Sequence, residues 1–521
     1  MPCCNPLKNT VYLFTHFTNQ ISNSMKKLLL SLALVCFGVS AMAQESAKQV
    51  NQYGQEVKSL PIETTVQDGI LVFQNKNANY KMWFDVRLQA DAAVFFDKPG
   101  YADKIGNGMS LRRTRFAVKA QLDKNWYGEF DTDWTSGTPE IKDAIIAYTG
   151  LKNFEFKVGN FKENFSIQRN TTSRYLVFME RPMVTSLAPS RHLGFNVRYA
   201  SKMFWASAGI FGPELKDSEA LGFMQDYNKD FGMNEGLSYT GKVVFRPINT
   251  PDASLHIGAA FSYRNPKTTG FKFGDFEELL DEDENPEIVD AIDNGAFGEL
   301  DVIGGAMDAR NSTDINRKKY VNSGDLIGLD YETAWTVELA GHYKGLRYEA
   351  AYIARTAHMN EEVNKVVYAK NPFSRYTGDG WYIQGSYMLF GGSQSYDSNG
   401  AKYNRTTSGR NWGDLELAAR YQTMDLTDAK FDGDKLVSGI TGGKARMWEL
   451  GLNYYPMKNV KIMLNWALID QDKFANGKGK DKGKFNVGYD ADGKPTKKWS
   501  EVVGKGGVDY QMLSMRFQIA F

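Results

Sequence analysis

The sequence predicts an all-β fold, a transmembrane antiparallel β-barrel of about sixteen strands, and three observations carry that prediction. Apolar and polar residues alternate with a period of two along many short segments. Beyond residue 43 no run approaches the roughly eighteen apolar residues that a membrane-spanning helix needs. The final residue, Phe521, closes one of the alternating segments on an aromatic ring. A bilayer-spanning barrel unites all three, because each strand turns apolar side chains to lipid and polar ones to the lumen and so never forms a continuous apolar run.

At the N-terminus, Met25-Lys26-Lys27 precedes an apolar run over 28–39 and the small-x-small site Ala41-Met42-Ala43. This is the pattern of a secretory signal peptide over 25–43, too short to cross a bilayer as a helix. Residues 1–24 lie upstream of that complete signal and read as a non-native extension, with Met25 as the start. Residues 44–80 then form a periplasmic segment and 81–521 the barrel. Cys3, Cys4 and Cys36 all fall in the part expected to be removed, so a disulfide framework is not available to the exported chain. Loss of Lys8, Lys26 and Lys27 lowers the bases from 62 to 59 against 61 acids, a balance that excludes a strongly basic nucleic-acid binder.

The strands follow from the alternation. Leu513, Met515, Phe517, Ile519 and Phe521 share one face, with Ser514, Arg516, Gln518 and Ala520 on the other. Such an ending matches the signal that outer-membrane barrel-assembly machinery reads. Leu450, Leu452 and Tyr454 form a similar face, and after a turn at 456–459 Val460, Ile462, Leu464, Trp466 and Leu468 resume it. Short turns at Asp123-Lys124-Asn125, 150–153, Ser201-Lys202 and Lys344-Gly345 join further pairs. The pattern places strands near 82–95, 111–122, 126–134, 141–149, 153–160, 193–200, 203–211, 236–246, 253–264, 332–343, 346–355, 379–390, 412–424, 444–455, 459–470 and 508–521. Long and short connections alternate, as a barrel with both ends of its chain in the periplasm requires. The connection over 391–411 breaks the rule, being long where a short periplasmic turn is due. Aromatic residues, among them Trp83, Trp126, Trp335, Trp381 and Tyr454, sit toward strand ends, where membrane interfaces would lie.

Charge is informative through its position. The connection over 161–192 holds Lys162, Arg169, Arg174, Arg181 and Arg191 against Glu163 and Glu180. Residues 172–181 are expected to form a short helix that docks Tyr175, Leu176, Phe178 and Met179 on the barrel wall. Arginines at a constriction favour anions, because fixed positive charge raises local anion concentration and guanidinium matches phosphate oxygens bidentately. Arg113, Arg115 and Lys119 alternate inward on the second strand, opposite inward Glu129, Asp131 and Asp133 on the third, so solute contact and cross-strand ion pairing are both open for this ladder. Residues 275–301 hold twelve acids and no base, read as a solvated loop without EF-hand spacing. His192, His256, His342 and His358 lie in no recognisable catalytic motif, which argues against an enzyme.

Leu111-Arg112-Arg113-Thr114-Arg115-Phe116, the run 159–166 and Ser173-Arg174-Tyr175 through Glu180-Arg181 with Leu187-Ala188-Pro189 resemble the phosphate-selective porins O and P, most closely over 84–212. Asn164 stands where that family usually has proline. The resemblance implies a homotrimer of sixteen-stranded barrels in the bacterial outer membrane, in contact with lipid and lipopolysaccharide. It implies passive diffusion of small anions such as phosphate or polyphosphate through a third loop folded inward. Neither a cofactor nor a metal is implied. Arg113, Arg115, Lys119, Lys162, Arg169, Arg174, Arg181 and Arg191 are the expected pore residues, and a general diffusion porin with structural ion pairs in its lumen is the alternative.

Overall fold

A computed structural model describes the chain at residues 53, 61–67, 69–96, 105–215, 236–265, 303–304, 306–315, 319–324, 326–361, 364, 368, 372–433, 435–471, 488–489, 495–496 and 509–521. The expected extension over 1–24, the signal peptide over 25–43 and the acidic run over 275–301 lie outside the described residues.

Sixteen antiparallel strands close on themselves. They are β1 (Lys81–Phe96), β2 (Gly108–Leu122), β3 (Trp126–Asp133), β4 (Glu140–Tyr148), β5 (Phe154–Lys162), β6 (Arg191–Ala200), β7 (Phe204–Phe211) and β8 (Ser238–Asn249). There follow β9 (Ala253–Arg264), β10 (Leu329–Tyr343), β11 (Leu346–Met359), β12 (Arg375–Met388), β13 (Asp414–Asp432), β14 (Lys435–Met457), β15 (Val460–Gln471) and β16 (Tyr510–Ala520). Each pairs with its sequence neighbours, and β16 returns to β1 from Gln511↔Phe96 to Ala520↔Arg87. Every expected strand has its counterpart. Phe521 and Val86 exchange backbone hydrogen bonds and finish the seam. Closure leaves no open edge among the sixteen barrel strands as described, which a lipid environment could not hydrogen-bond.

The alternation on β16 shows what each face meets. Leu513, Met515, Phe517 and Ile519 are 37–51% exposed, whereas Ser514, Arg516 and Gln518 are at most 7% exposed. A water-soluble core has the opposite pattern, so the apolar faces point to lipid and the polar faces inward. Outward aromatic pairs mark the end at which even strands finish and odd strands begin. Trp126 with Tyr148, Phe154 with Tyr199, Phe204 with Phe245 and Phe390 with Trp412 lie 4.8–5.3 Å apart between ring centroids. A second row, Trp335–Tyr352 and Trp381–Tyr421–Trp448, lies further along the wall.

The tight turns use left-handed backbone where the sequence supplies polar residues, with Asp123 at φ 50° and Lys124 at φ 60° between β2 and β3. Before the barrel, Ile62–Gln67 and Ile70–Asn75 form a hairpin that continues onto β1 through Val72↔Trp83 and Gln74↔Lys81. The long connection over 389–413 leaves the strand count intact. It is an excursion containing a small ladder, Tyr396–Asp397 with Lys402–Tyr403. Its ring Tyr403 is 1% exposed.

Candidate functional site

The segment over 163–190, between β5 and β6, has a short helix Ile167–Asn170 whose first turn is capped by Ser166 Oγ accepting the Arg169 N–H at 3.2 Å. Single 3₁₀ turns follow at Ser173–Tyr175 and Met183–Leu187. After the first of those turns Leu176 is extended, at φ −68° and ψ 141°, and the chain bends over 177–180 without forming a helix. The expected helix over 172–181 is therefore reduced to its first turn, and the reason is visible in the carbonyls. Gln518 donates to Arg174 O at 3.2 Å, Arg347 to Tyr175 O at 3.0 Å, Lys461 to Leu176 O at 2.6 Å and Asn453 to Val177 O at 2.8 Å. Arg516 donates to Met179 O, and Arg420 to Glu180 O at 3.0 Å. An α-helix would turn the same carbonyls to amides four residues on. Here side chains from β11, β13, β14, β15 and β16 take that place. Leu176, Phe178 and Met179 are buried as expected, and the Arg420 guanidinium lies 4.4 Å from the Phe178 ring centre.

The ladder on β2 is matched by carboxylates. Arg115 lies 3.0 Å from Asp133 and 3.5 Å from Asp131, and Lys119 lies 2.8 Å from Asp85 and 3.3 Å from Glu129. Arg113 donates to Gln89 Oε1 at 2.7 Å and lies 3.9 Å from Glu180. Arg174 pairs with Asp85, and Arg191 grips both oxygens of Asp143 at 3.0 and 2.9 Å. Among the described residues, Glu129, Asp131 and Asp143 bring carboxylate oxygens within 4.8 Å of one another, but Lys119, Arg115 and Arg191 each face one of them. That group reads as ion pairing across β2, β3, β4 and β6 rather than as a metal centre.

Lys162, Arg169 and Arg181 differ. Among the described residues no carboxylate lies within 4 Å of any of them, and their hydrogen bonds go to backbone carbonyls. Lys162 Nζ donates to Arg169 O at 3.0 Å, and Arg169 Nη2 to Thr185 O and Ala188 O, both at 2.7 Å. Arg181 donates to Gln168 O and Thr171 O, both at 2.6 Å. All three are half-buried. Burial, with crowding by Arg169 and Arg191, pushes the Arg181 guanidinium below its ordinary value, yet it stays charged at neutral pH. Glu180 shows the contrary case. Burial works to raise its carboxyl, and Arg112, Arg113 and Arg516 hold it well below the usual carboxylate range. The eight sequence candidates thus divide into five answered by acids and three held by carbonyls.

Several residues that organise the site escaped sequence reasoning. A β-bulge opposite Gln89 and Ala90 inserts Arg112 as an extra residue, so Arg112 and Arg113 both reach Glu180, with Arg112 Nε at 2.7 Å. Arg516 pairs with Asp91 at 2.6 Å and Glu180 at 2.8 Å. Arg347, Arg420 and Lys461 face inward on the far strands. Their inward parity was readable from the alternation, but which carbonyl each would meet was not.

A closed sixteen-stranded barrel, apolar outside and lined by charge inside, defines a bacterial outer-membrane porin. The chain matches the family described as phosphate-selective porin O and P over residues 84–277 and 286–490, and it belongs to that family. It is 25% identical over 416 residues to Porin O of Pseudomonas aeruginosa, which covers 76% of this chain and 84% of that protein. Solved structures with a likeness include an anion-selective porin from Comamonas acidovorans, with a TM-score of 0.45, 10% identity and coverage of 85% of this chain and 100% of that one. The trimer form of OmpT from Vibrio cholerae has a TM-score of 0.45 and 12% identity, covering 85% and 99%.

Proposed function

We propose that this porin passes small anions by passive diffusion, without catalysis, and that Lys162, Arg169 and Arg181 are the charges that meet the solute. The observation that carries this reading is their lack of carboxylate partners among the described residues, while the five other candidates spend their charge on acids. A carbonyl aims a guanidinium without cancelling its charge, so Arg169 and Arg181, with Lys162 beside them, keep a positive field in a half-buried setting where screening is weak. In this proposal the 163–190 segment is the constriction, and Arg113, Arg115, Lys119, Arg174 and Arg191 belong to its frame. Phosphate is the preferred solute class, supported by the family and by the fit of guanidinium to its oxygens. Loose, multiple contacts suit throughput, since a solute must leave as readily as it enters. The family resemblance also supports a homotrimer, which sedimentation in detergent would check. Planar-bilayer recordings under a salt gradient test the central point: an anion-favouring reversal potential, with phosphate blocking chloride current, is expected, and cation selectivity would refute it.

A further inference from the structure

We infer that the long hairpin between β12 and β13 is a positioning element for the 163–190 segment, acting through Tyr403 and Tyr396 on the residues that aim Arg169 and Arg181. The inference rests on the proposed role of those cations. It starts from the hairpin's own anchorage. At its tip, Asn399 O accepts the Trp205 indole N–H at 2.8 Å, Ser398 Oγ donates to Asn249 Oδ1 at 2.7 Å, and Arg198 and Arg246 donate to the carbonyls of Asn399 and Ser398. The hairpin leaves the wall at β12 and is fastened again at β6, β7 and β8, so it is tied at two separated places.

From this strut three ties reach the segment. The Tyr403 N–H donates to Thr171 Oγ1 at 3.3 Å, and Thr171 O is one of the two carbonyls that hold Arg181. The Tyr403 ring carries the Arg347 guanidinium 3.5 Å from its centre, and Arg347 donates to Tyr175 O at 3.0 Å. Tyr403 itself is fixed by its hydroxyl, which donates to Tyr348 O at 2.6 Å and accepts the Gly341 N–H at 2.9 Å. The third tie runs through Tyr396, whose hydroxyl shares a 2.7 Å hydrogen bond with His256 Nδ1. His256 Nε2 lies 2.8 Å from Glu338 Oε1, where Lys242 also pairs, and Glu338 Oε2 accepts the Ile167 N–H at 2.7 Å. Ile167 opens the short helix that carries Arg169, and it packs with Ala340 and Tyr403 in one buried cluster. Two segments entering from opposite ends of the barrel therefore share Thr171, Arg347 and the Glu338–His256 pair.

Contacts alone do not establish coupling, so the test is a double-mutant cycle read on ion selectivity. Tyr403→Ala, Arg347→Gln and the double variant are reconstituted in planar bilayers beside the parent, with heat-modifiable gel mobility as the folding control. The single Tyr403→Ala change is expected to lower the anion-to-cation permeability ratio by about threefold, and the double variant to fall no further than Arg347→Gln alone. Tyr403→Phe, which keeps the ring under Arg347, should retain most of the parent ratio. Independent, additive effects or an unchanged ratio in Tyr403→Ala would overturn the inference. Should Tyr403→Ala not fold, Tyr396→Phe removes a single hydroxyl and is expected to raise open-channel current noise; unaltered noise in that variant counts against the proposal equally. A parent channel without anion preference would instead defeat the reading of the cations, and the noise comparison would still decide the coupling.

Discussion

Arg115 and Arg181 are both arginines beside the lumen of one barrel, yet they occupy opposite electrostatic situations. Arg115 stands on β2 between Asp131 and Asp133, directly across the sheet, and its charge is answered where it arises. Arg181 stands on a connection, its fork filled by two backbone carbonyls, with Arg169 and Arg191 as well as Glu180 acting on its charge. The difference teaches that a basic residue on a strand is answered where the register sets an acid opposite it, as Asp133 lies opposite Arg115, and left unanswered where it does not, as Lys162 at the end of β5 has Arg191 opposite. A basic residue on a connection has no register, and its charge persists unless the fold returns an acid to it.

That contrast can be broken most forcefully by removing the unanswered charge. Replacing Lys162, Arg169 and Arg181 together by glutamine should lower anion preference on the order of tenfold, the scale of electrostatic focusing in a charged cleft, as read from reversal potentials. A change at the anchored face of the segment is read on stability instead of selectivity. Arg516→Met leaves Asp91 buried without its cation and releases Met179 O, and the loss of one member of a buried pair costs about 3–5 kcal/mol. Thermal unfolding in detergent should show that loss. A smaller effect sharpens the comparison from the other side. Arg115→Gln should reduce anion preference only about two- to threefold, and adding Asp133→Asn should restore it, since the pair is close to self-neutralising. The smallest effect belongs to the outer rim. Lys444 and Asp425 form an ion pair at 2.7 Å with the lysine side chain 60% exposed, and Lys444→Ala should change stability by no more than about 1 kcal/mol.

The barrel was legible because its signal repeats: alternation on sixteen segments, polar turns between them and an aromatic end all report one architecture. Bulges were not legible, since the extra residue at Arg112 looks like ordinary strand until its partner strand is known. The helix expected over 172–181 failed for a related reason. Its apolar residues are buried as anticipated, but Lys461, Asn453, Arg516 and Arg420 lie hundreds of residues away in sequence and decide the backbone by claiming its carbonyls. The alternation marks the connection over 391–411 as too long for a periplasmic turn, and the excursion it forms carries the buried Tyr403. Which cations stay unanswered was beyond the sequence, because composition gives charge and only three-dimensional pairing gives its remainder.

The most direct test of the account is the reversal potential of the purified porin under a potassium chloride gradient, compared between the parent and the variant lacking Lys162, Arg169 and Arg181. The account predicts an anion-selective parent whose preference collapses in that variant while Arg115→Gln lowers it only about two- to threefold. Equal losses in both, or a parent that favours cations, would contradict it.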